Sequence, residues 1–259
     1  MSYGPPLWRC WMAASLILAS NLAAAVFGAE ELGAQSVQIR FGTFELAPYG
    51  FHDGENSRRG MLRDVNGAIA AKAGLSSNDV VMPLKRINKE LQKGVIMCAS
   101  FIPSAWSSKA LTQVAEIYAD FKSVVIPRKR LTVSRLEDLH ERSIAIPRGA
   151  YTGFQITEDA KIRRHLTNGY DQSALLLKAG RVDAMVGSDI AVYHSLRQAG
   201  LAKSDAGAPF VFLKSTIWLQ CQKNVDPALI ERLRGAANSL RRDGVFDRLR
   251  IAYSSQFLE

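Results

Sequence analysis

The stretch GRVDAMVGSD, residues 180–189, decides how this chain is read. Gly180 is placed to end a helix over residues 171–178, because glycine takes the left-handed conformation that closes helices at little cost. The apolar run after it has the character of a buried strand, and it stops at the polar pair Ser188 and Asp189. Residues 190–198 then read as another helix, closed by Gly200. A strand set between two helices is the repeating unit of an α/β fold. The terminal pair has two readings: a ligand anchor at the carboxyl end of a strand, or the N-cap that any helix start prefers.

The same rhythm extends in both directions. Val37, Ile39 and Phe41 alternate with polar residues as a strand does, and the loop ELAPYGFHDGENSRRG (45–60) follows. Met61, Leu62, Val65, Ile69 and Ala73 keep helical spacing up to Gly74, and a second helix runs over 87–93. VIMCASF (95–101) has no polar alternation and reads as a strand buried on both faces. SVVIP (123–127) and SIAIP (143–147) are two more short strands around a helical LEDL, and 152–165 is read as helical. TIWLQCQK (216–223) alternates as a strand. Asp226 and Pro227 then give an N-cap followed by a first-turn proline, and Leu229, Leu233, Ala236, Ala237 and Leu240 form one apolar stripe. The expectation is an α/β fold with a mainly parallel sheet.

Composition agrees with a globular protein: 47% of the 259 residues are hydrophobic and 22% charged. The first 29 residues stand apart. A short start with one positive charge, Arg9, leads to an alanine-rich apolar stretch with small residues at Ala23, Ala25, Gly28 and Ala29, the layout of a cleavable secretory signal. An uncleaved membrane anchor is the competing reading, since the stretch approaches the roughly 20 residues that span a bilayer. Export places Cys98 and Cys221 in an oxidising compartment, as a disulfide pair or as two small buried apolar residues. Net charge is +9, with basic residues scattered and no stacking aromatics or groove-reading motif among them, which argues against nucleic acid as partner.

With these pieces in order, the chain resembles the periplasmic solute-binding proteins of ABC importers, of the polar amino-acid-binding type known as extracellular solute-binding family 3. The resemblance covers roughly residues 36–253. It rests on APYGF, GMLRDVNGAI, PLKRINKELQKG, LEDL before SIAIPRG, LLKAGRVDAMV and VDPALIERLRGAANSLRRDGVFDRL. It implies two α/β lobes joined by two crossover hinge strands: residues 36–123 with 214–259 as one lobe, and 124–213 as the other. It also implies that VIMCASF and TIWLQCQK are sheet neighbours, which would bring Cys98 and Cys221 together.

The resemblance further implies a ligand between the lobes, held by loops at the carboxyl ends of strands. Tyr49 and Phe51 would supply an aromatic wall, and Ser100, Phe101, Ser104, Ser107 and Lys109 the next loop. Amino-acid binders carry a carboxylate-clamping arginine where Ser107 stands, and Lys109 lacks the guanidinium fork that grips a carboxylate in two places. Gly149, Tyr151 and Thr152 would lead into a helix N-terminus able to attract an anion, with Arg148 beside it. Family members place an ammonium-pairing aspartate five residues after the aspartate of GRVD; here that position holds Ser188, with Asp189 one residue on as a cap and Asp183 as a structural residue. Both anchors for a zwitterion depart from the family pattern.

The function expected is capture of a small polar or anionic solute in the periplasm for a membrane permease, by a monomer without cofactor or metal. The alternative is a non-transport module, either a sensor or an accessory factor of a periplasmic oxidoreductase. An enzyme on this scaffold is the weakest reading. Of the histidines only His52 lies in a cleft loop, while His140, His165 and His194 fall on helices or at their ends, and no nucleophile–base pair or metal-spaced cluster is visible.

Overall fold

The computed structural model describes residues 37–54 and 57–258, with side chains to residue 253. The expected signal segment, with Cys10, lies outside the described residues. No helix among the described residues is long and apolar enough to cross a membrane.

In chain order the elements are β1 (Gln38–Phe44), a small hairpin of β2 (Phe51–His52) and β3 (Arg58–Arg59), α1 (Met61–Lys72), β4 (Ser76–Met82), α2 (Leu84–Gln92), β5 (Cys98–Phe101), α3 (Ala105–Ala110) and β6 (Leu111–Pro127). After a 3-10 turn at Leu136–Leu139 come β7 (Ser143–Pro147), α4 (Gln155–Glu158), β8 (Arg163–Thr167), α5 (Tyr170–Lys178), β9 (Ala184–Ser188), α6 (Asp189–Gln198) and a second 3-10 turn at Lys203–Asp205. The chain ends with β10 (Phe210–Gln222), α7 (Pro227–Arg242) and α8 (Val245–Leu258).

Eight strands form one sheet in the order β4-β1-β5-β10-β6-β9-β7-β8. Pairing is parallel at both ends, β4 with β1 and β1 with β5 on one side, β9 with β7 and β7 with β8 on the other. At the centre β10 runs antiparallel to both β5 and β6, and β6 antiparallel to β9. The mainly parallel sheet expected from alternation is therefore mixed: each end keeps the parallel rule, and two long strands break it by crossing between the ends.

Those two strands make the molecule two lobes. β6 is seventeen residues long, and its burial lapses at Ala119, Asp120 and Lys122 between two well-buried stretches. A strand surfaces this way when it leaves one core and enters another. β10 accompanies it in the opposite direction, with pairing irregularities at Val211/Leu213 and between Ser215 and Gln220. Bulges bend and twist a strand pair, which suits a hinge. One face of the second lobe has its own core of Val125, Leu139, Ile144, Ile146, Ile156 and Val186. A larger core runs from Ile39, Phe41 and Leu233 in the first lobe through Tyr49 to Tyr170 and Met185 in the second.

Cys98 and Cys221 are register partners on β5 and β10 and are joined by a disulfide across 123 residues of sequence. The segment read as helical over 152–165 is instead a turn, the four-residue α4 and the edge strand β8, so His165 lies on a strand.

Candidate functional site

The lobes meet at a cavity of about 70 Å³ lined by Phe44, Tyr49, Phe101 and Phe121 from the first lobe and the strand that leaves it, and by Ala150, Tyr151 and Tyr170 from the second. Leu46, Leu84, Ile102 and Ile217 complete the lining, which includes no charged side chain. Tyr49 is set between Phe44 and Phe121, with ring centroids 5.5 and 6.2 Å away. Tyr151 packs edge-on against Phe212 and Phe154 at 5.3 and 6.1 Å. Such tilted pairings suit the ring quadrupoles and fix ring orientation.

Tyr170 starts α5 and lies over Gly187 of β9. A Cβ at Gly187 would stand 2.2 Å from the Tyr170 ring, so the missing side chain is the socket for that ring. Burial pushes the Tyr170 phenol up to about 12, and drives those of Tyr49 and Tyr151 well above the ordinary tyrosine value. All three stay protonated, and Tyr151 donates to Tyr170.

The polar pair that ended the decisive stretch divides. Ser188 is fully buried and occupies the N-cap position of α6, yet its side chain makes no capping bond. Asp189 lies in the first turn and accepts the Ile190 N–H at 2.8 Å. Asp189 lines an adjoining groove of about 380 Å³, which shares Tyr49, Phe121 and Ile217 with the central cavity and includes Glu116, Tyr118, Arg241, Asp247 and Arg250. Burial raises the Asp189 carboxyl, against the pull of the Ile190 N–H, Lys122 and Arg250. Asp183 is held below the usual carboxylate range: burial works against its charge, but hydrogen bonds from Ser143 and the nearby Arg128 and Arg142 outweigh it.

Tyr49, Phe101 and Tyr151 thus line the central cavity, and Phe51 lines a larger outer cleft. Ser104 caps α3 and forms a reciprocal capping box with Ser107, which is fully buried. The Ser107 hydroxyl is engaged within the chain. Lys109 is exposed in the last turn of α3 and contributes to none of the three cavities. Ser100 points into the first lobe, toward the Oδ1 of Asn66 at 3.5 Å.

Gly149, Tyr151 and Thr152, expected to form an anion site, lie in the turn that follows β7. The turn leads to a helix of only four residues, and the Gly153 N–H already donates to the Glu158 carboxylate at 3.1 Å, so the chain's own acid takes the place of an anion. Thr152 is exposed and donates to the Gly149 carbonyl. Gly149, at φ +83°, rests against α2: a Cβ there would be 3.2 Å from that of Lys85 and 3.3 Å from its backbone nitrogen. The lobes touch at this point. Beside it opens the outer cleft, about 630 Å³, with Glu45, Phe51, His52 and Lys85 on one side and Arg148, Asn168 and Asp171 on the other. His52 is 3.7 Å from Glu45, both largely exposed. No group of three or more His, Cys, Asp or Glu among the described residues is placed to hold a metal ion.

Phe44, Phe121, Ser123, Tyr170 and Gly187 belong to this site and are not among the residues expected from sequence. Phe121 and Ser123 lie on a strand whose sequence begins to look like one only at Ser123, and nothing local marks Tyr170 as buried.

No protein-family profile and no curated protein matches the chain. Solved structures do. A mutant of ArgBP from T. maritima superposes with a TM-score of 0.72 at 19% identity, covering 84% of this chain and 95% of that one. The substrate-binding protein of an amino acid ABC transporter gives 0.70 at 21% identity over 83% and 98% of the two chains. A histidine kinase sensor domain with similarity to periplasmic binding proteins gives 0.72 at 18% identity over 85% and 96%. The fold is therefore that of the two-lobe periplasmic binding proteins.

Proposed function

We propose that this chain is an exported solute-binding protein that closes over a small neutral solute and presents the closed form to the permease of an ABC importer. In this reading residues 1–29 are the export signal, residues 36–123 and 214–259 are one lobe, and 124–213 are the other. The observation that carries it is the cavity at the lobe junction, contributed by both lobes and lined by aromatic rings without a charge. A ligand there contacts both lobes only when they are closed, and this differential contact is what shifts a hinge equilibrium.

The same lining argues for the kind of solute. The position for a carboxylate clamp is spent on a helix cap at Ser107, and Asp189 lines the adjoining groove and not the cavity itself. Burying an amino acid's two charges without partners would cost several kcal/mol, so neutral solutes are favoured over zwitterions and anions.

The test is small-angle scattering and thermal unfolding of the purified protein against panels of neutral, cationic, anionic and zwitterionic small molecules. The reading requires at least one compound that raises the unfolding temperature and alters the population of compact molecules; a protein whose dimensions and unfolding temperature respond to none would refute it. The likeness to a histidine kinase sensor domain favours a second reading, in which the closed form signals instead of feeding a permease. Permease and ATPase genes beside this one favour transport; a kinase gene there favours signalling.

A further inference from the structure

Ser123 on β6 and Ser188 on β9 are register partners, both completely buried. Neither hydroxyl has a hydrogen-bond partner in good geometry, although the Tyr151 phenol neighbours Ser123 and the Tyr49 phenol neighbours Ser188. Tyr170 adds a third phenol, whose oxygen accepts the Ser188 backbone N–H at 3.4 Å. Five hydroxyls therefore gather at the second lobe's side of the central cavity. Buried polar groups in folded proteins nearly always find partners, so two orphans side by side behind a cavity need explaining.

Their chemistry sets a direction. The Tyr170 oxygen already accepts a hydrogen bond from the backbone, which leaves its own O–H to donate elsewhere. If each serine donates to the tyrosine oxygen beside it and the Tyr151 O–H is given to Tyr170, Tyr49 is likewise left with an O–H to give. The wall then presents donors, and what completes it is an acceptor oxygen. Opposite stand Phe44, Phe101, Phe121 and Ile217, which match an apolar body. The volume, about 70 Å³, is about half of the roughly 150 Å³ that encloses a benzene ring, so the body is at most one small ring and is seated as the lobes adjust around it.

Resting on the solute-binding reading, we propose that the interlobe cavity takes a compact neutral molecule, an acceptor oxygen on a ring-sized apolar body, as in a phenol, a cyclic ketone or a small aromatic alcohol. Its oxygen docks on the Tyr49 and Tyr170 hydroxyls, with Tyr151 donating to Tyr170, and Ser123 and Ser188 donate from behind them. An aromatic cage also suits a quaternary ammonium ion, but a buried cation needs acceptors and a counter-charge, and this lining holds no carboxylate.

Calorimetric titration of the purified protein with phenol, cyclohexanone, tetramethylammonium, arginine and glutamate tests the assignment, with Ser123→Ala and Ser188→Ala alongside. Phenol or cyclohexanone is expected to bind, and each serine variant to bind it about 5- to 10-fold more weakly. A purely structural role for the serines predicts lower unfolding temperatures and unchanged affinity, and that result overturns the proposal. Preferential binding of tetramethylammonium, arginine or glutamate overturns the ligand class while leaving a solute-binding protein; binding of none of the five, with no response in the wider panels, removes both.

Discussion

At the scale of single residues, two positions carry more than their size suggests. Asp79 of β4 accepts hydrogen bonds from Thr43 at 2.9 Å and Asn66 at 2.8 Å, yet burial raises its carboxyl to about 6. A carboxyl that holds its proton more tightly when folded favours the folded state at low pH. The advantage is whole below pH 4 and is lost as pH rises through 6, a change on the order of 3 kcal/mol. Urea unfolding of the parent and of Asp79→Asn at pH 4 and pH 7 should show the parent losing stability relative to the variant between the two; parallel responses would mean the carboxyl is not perturbed. Gly187 is the second position. Alanine there must drive the Tyr170 ring or Val192 aside, since the new Cβ would lie 2.2 Å from one and 2.7 Å from the other. The expected result is a loss of about 1–3 kcal/mol in unfolding free energy, together with loss of whatever affinity the cavity has.

At the scale of elements, α3 shows how a short helix can consume a binding position. With Ser107 fully buried and bonded to the Ser104 backbone N–H, its replacement by arginine would break the capping box and bury a cation. Ser107→Arg should lose about 2 kcal/mol or more by urea unfolding and gain no affinity for glutamate in a binding titration; a stable variant that binds glutamate would show that this position still faces the cleft. The elements themselves were legible wherever periodicity is local. SIAIP is β7 to the residue, and Asp226 caps α7 by accepting the Ala228 N–H, as its order with Pro227 suggests. The crossover was harder. Burial of β6 lapses between its halves, so only its last five residues carry the apolar run of a strand. β8 is exposed over Arg163 to Leu166 and reads as polar surface, because an edge strand with one lateral neighbour owes its structure to pairing and not to pattern. The cavity lining mixes the two cases: Tyr49, Phe101 and Tyr151 follow recognisable strand ends, whereas Phe44, Phe121 and Tyr170 are brought in by packing between lobes. Several arginines that look like a solvated face on α7 have internal work: Arg232 donates to the Ala73 carbonyl, Arg234 to that of Val114, and Arg241 to the Glu116 carboxylate.

At the scale of the whole molecule, the chain leaves the first lobe along β6 and returns along β10, and one disulfide joins the return strand to β5. Closing a loop of 123 residues is worth roughly 5 kcal/mol by chain entropy, so Cys98→Ala with Cys221→Ala should lower the denaturation midpoint markedly, and an unchanged midpoint would mean the bond does not form in the protein. The position of the link has a separate outcome. Every residue of the second lobe, all of β6 and β10 up to Cys221 lie inside a single covalent ring. A protease that makes one cut in the exposed turn at Arg128, Lys129 and Arg130 therefore opens the ring without releasing anything: the nicked protein gains only the mass of one water, runs under denaturing conditions as one species until reductant is added, and then parts into two.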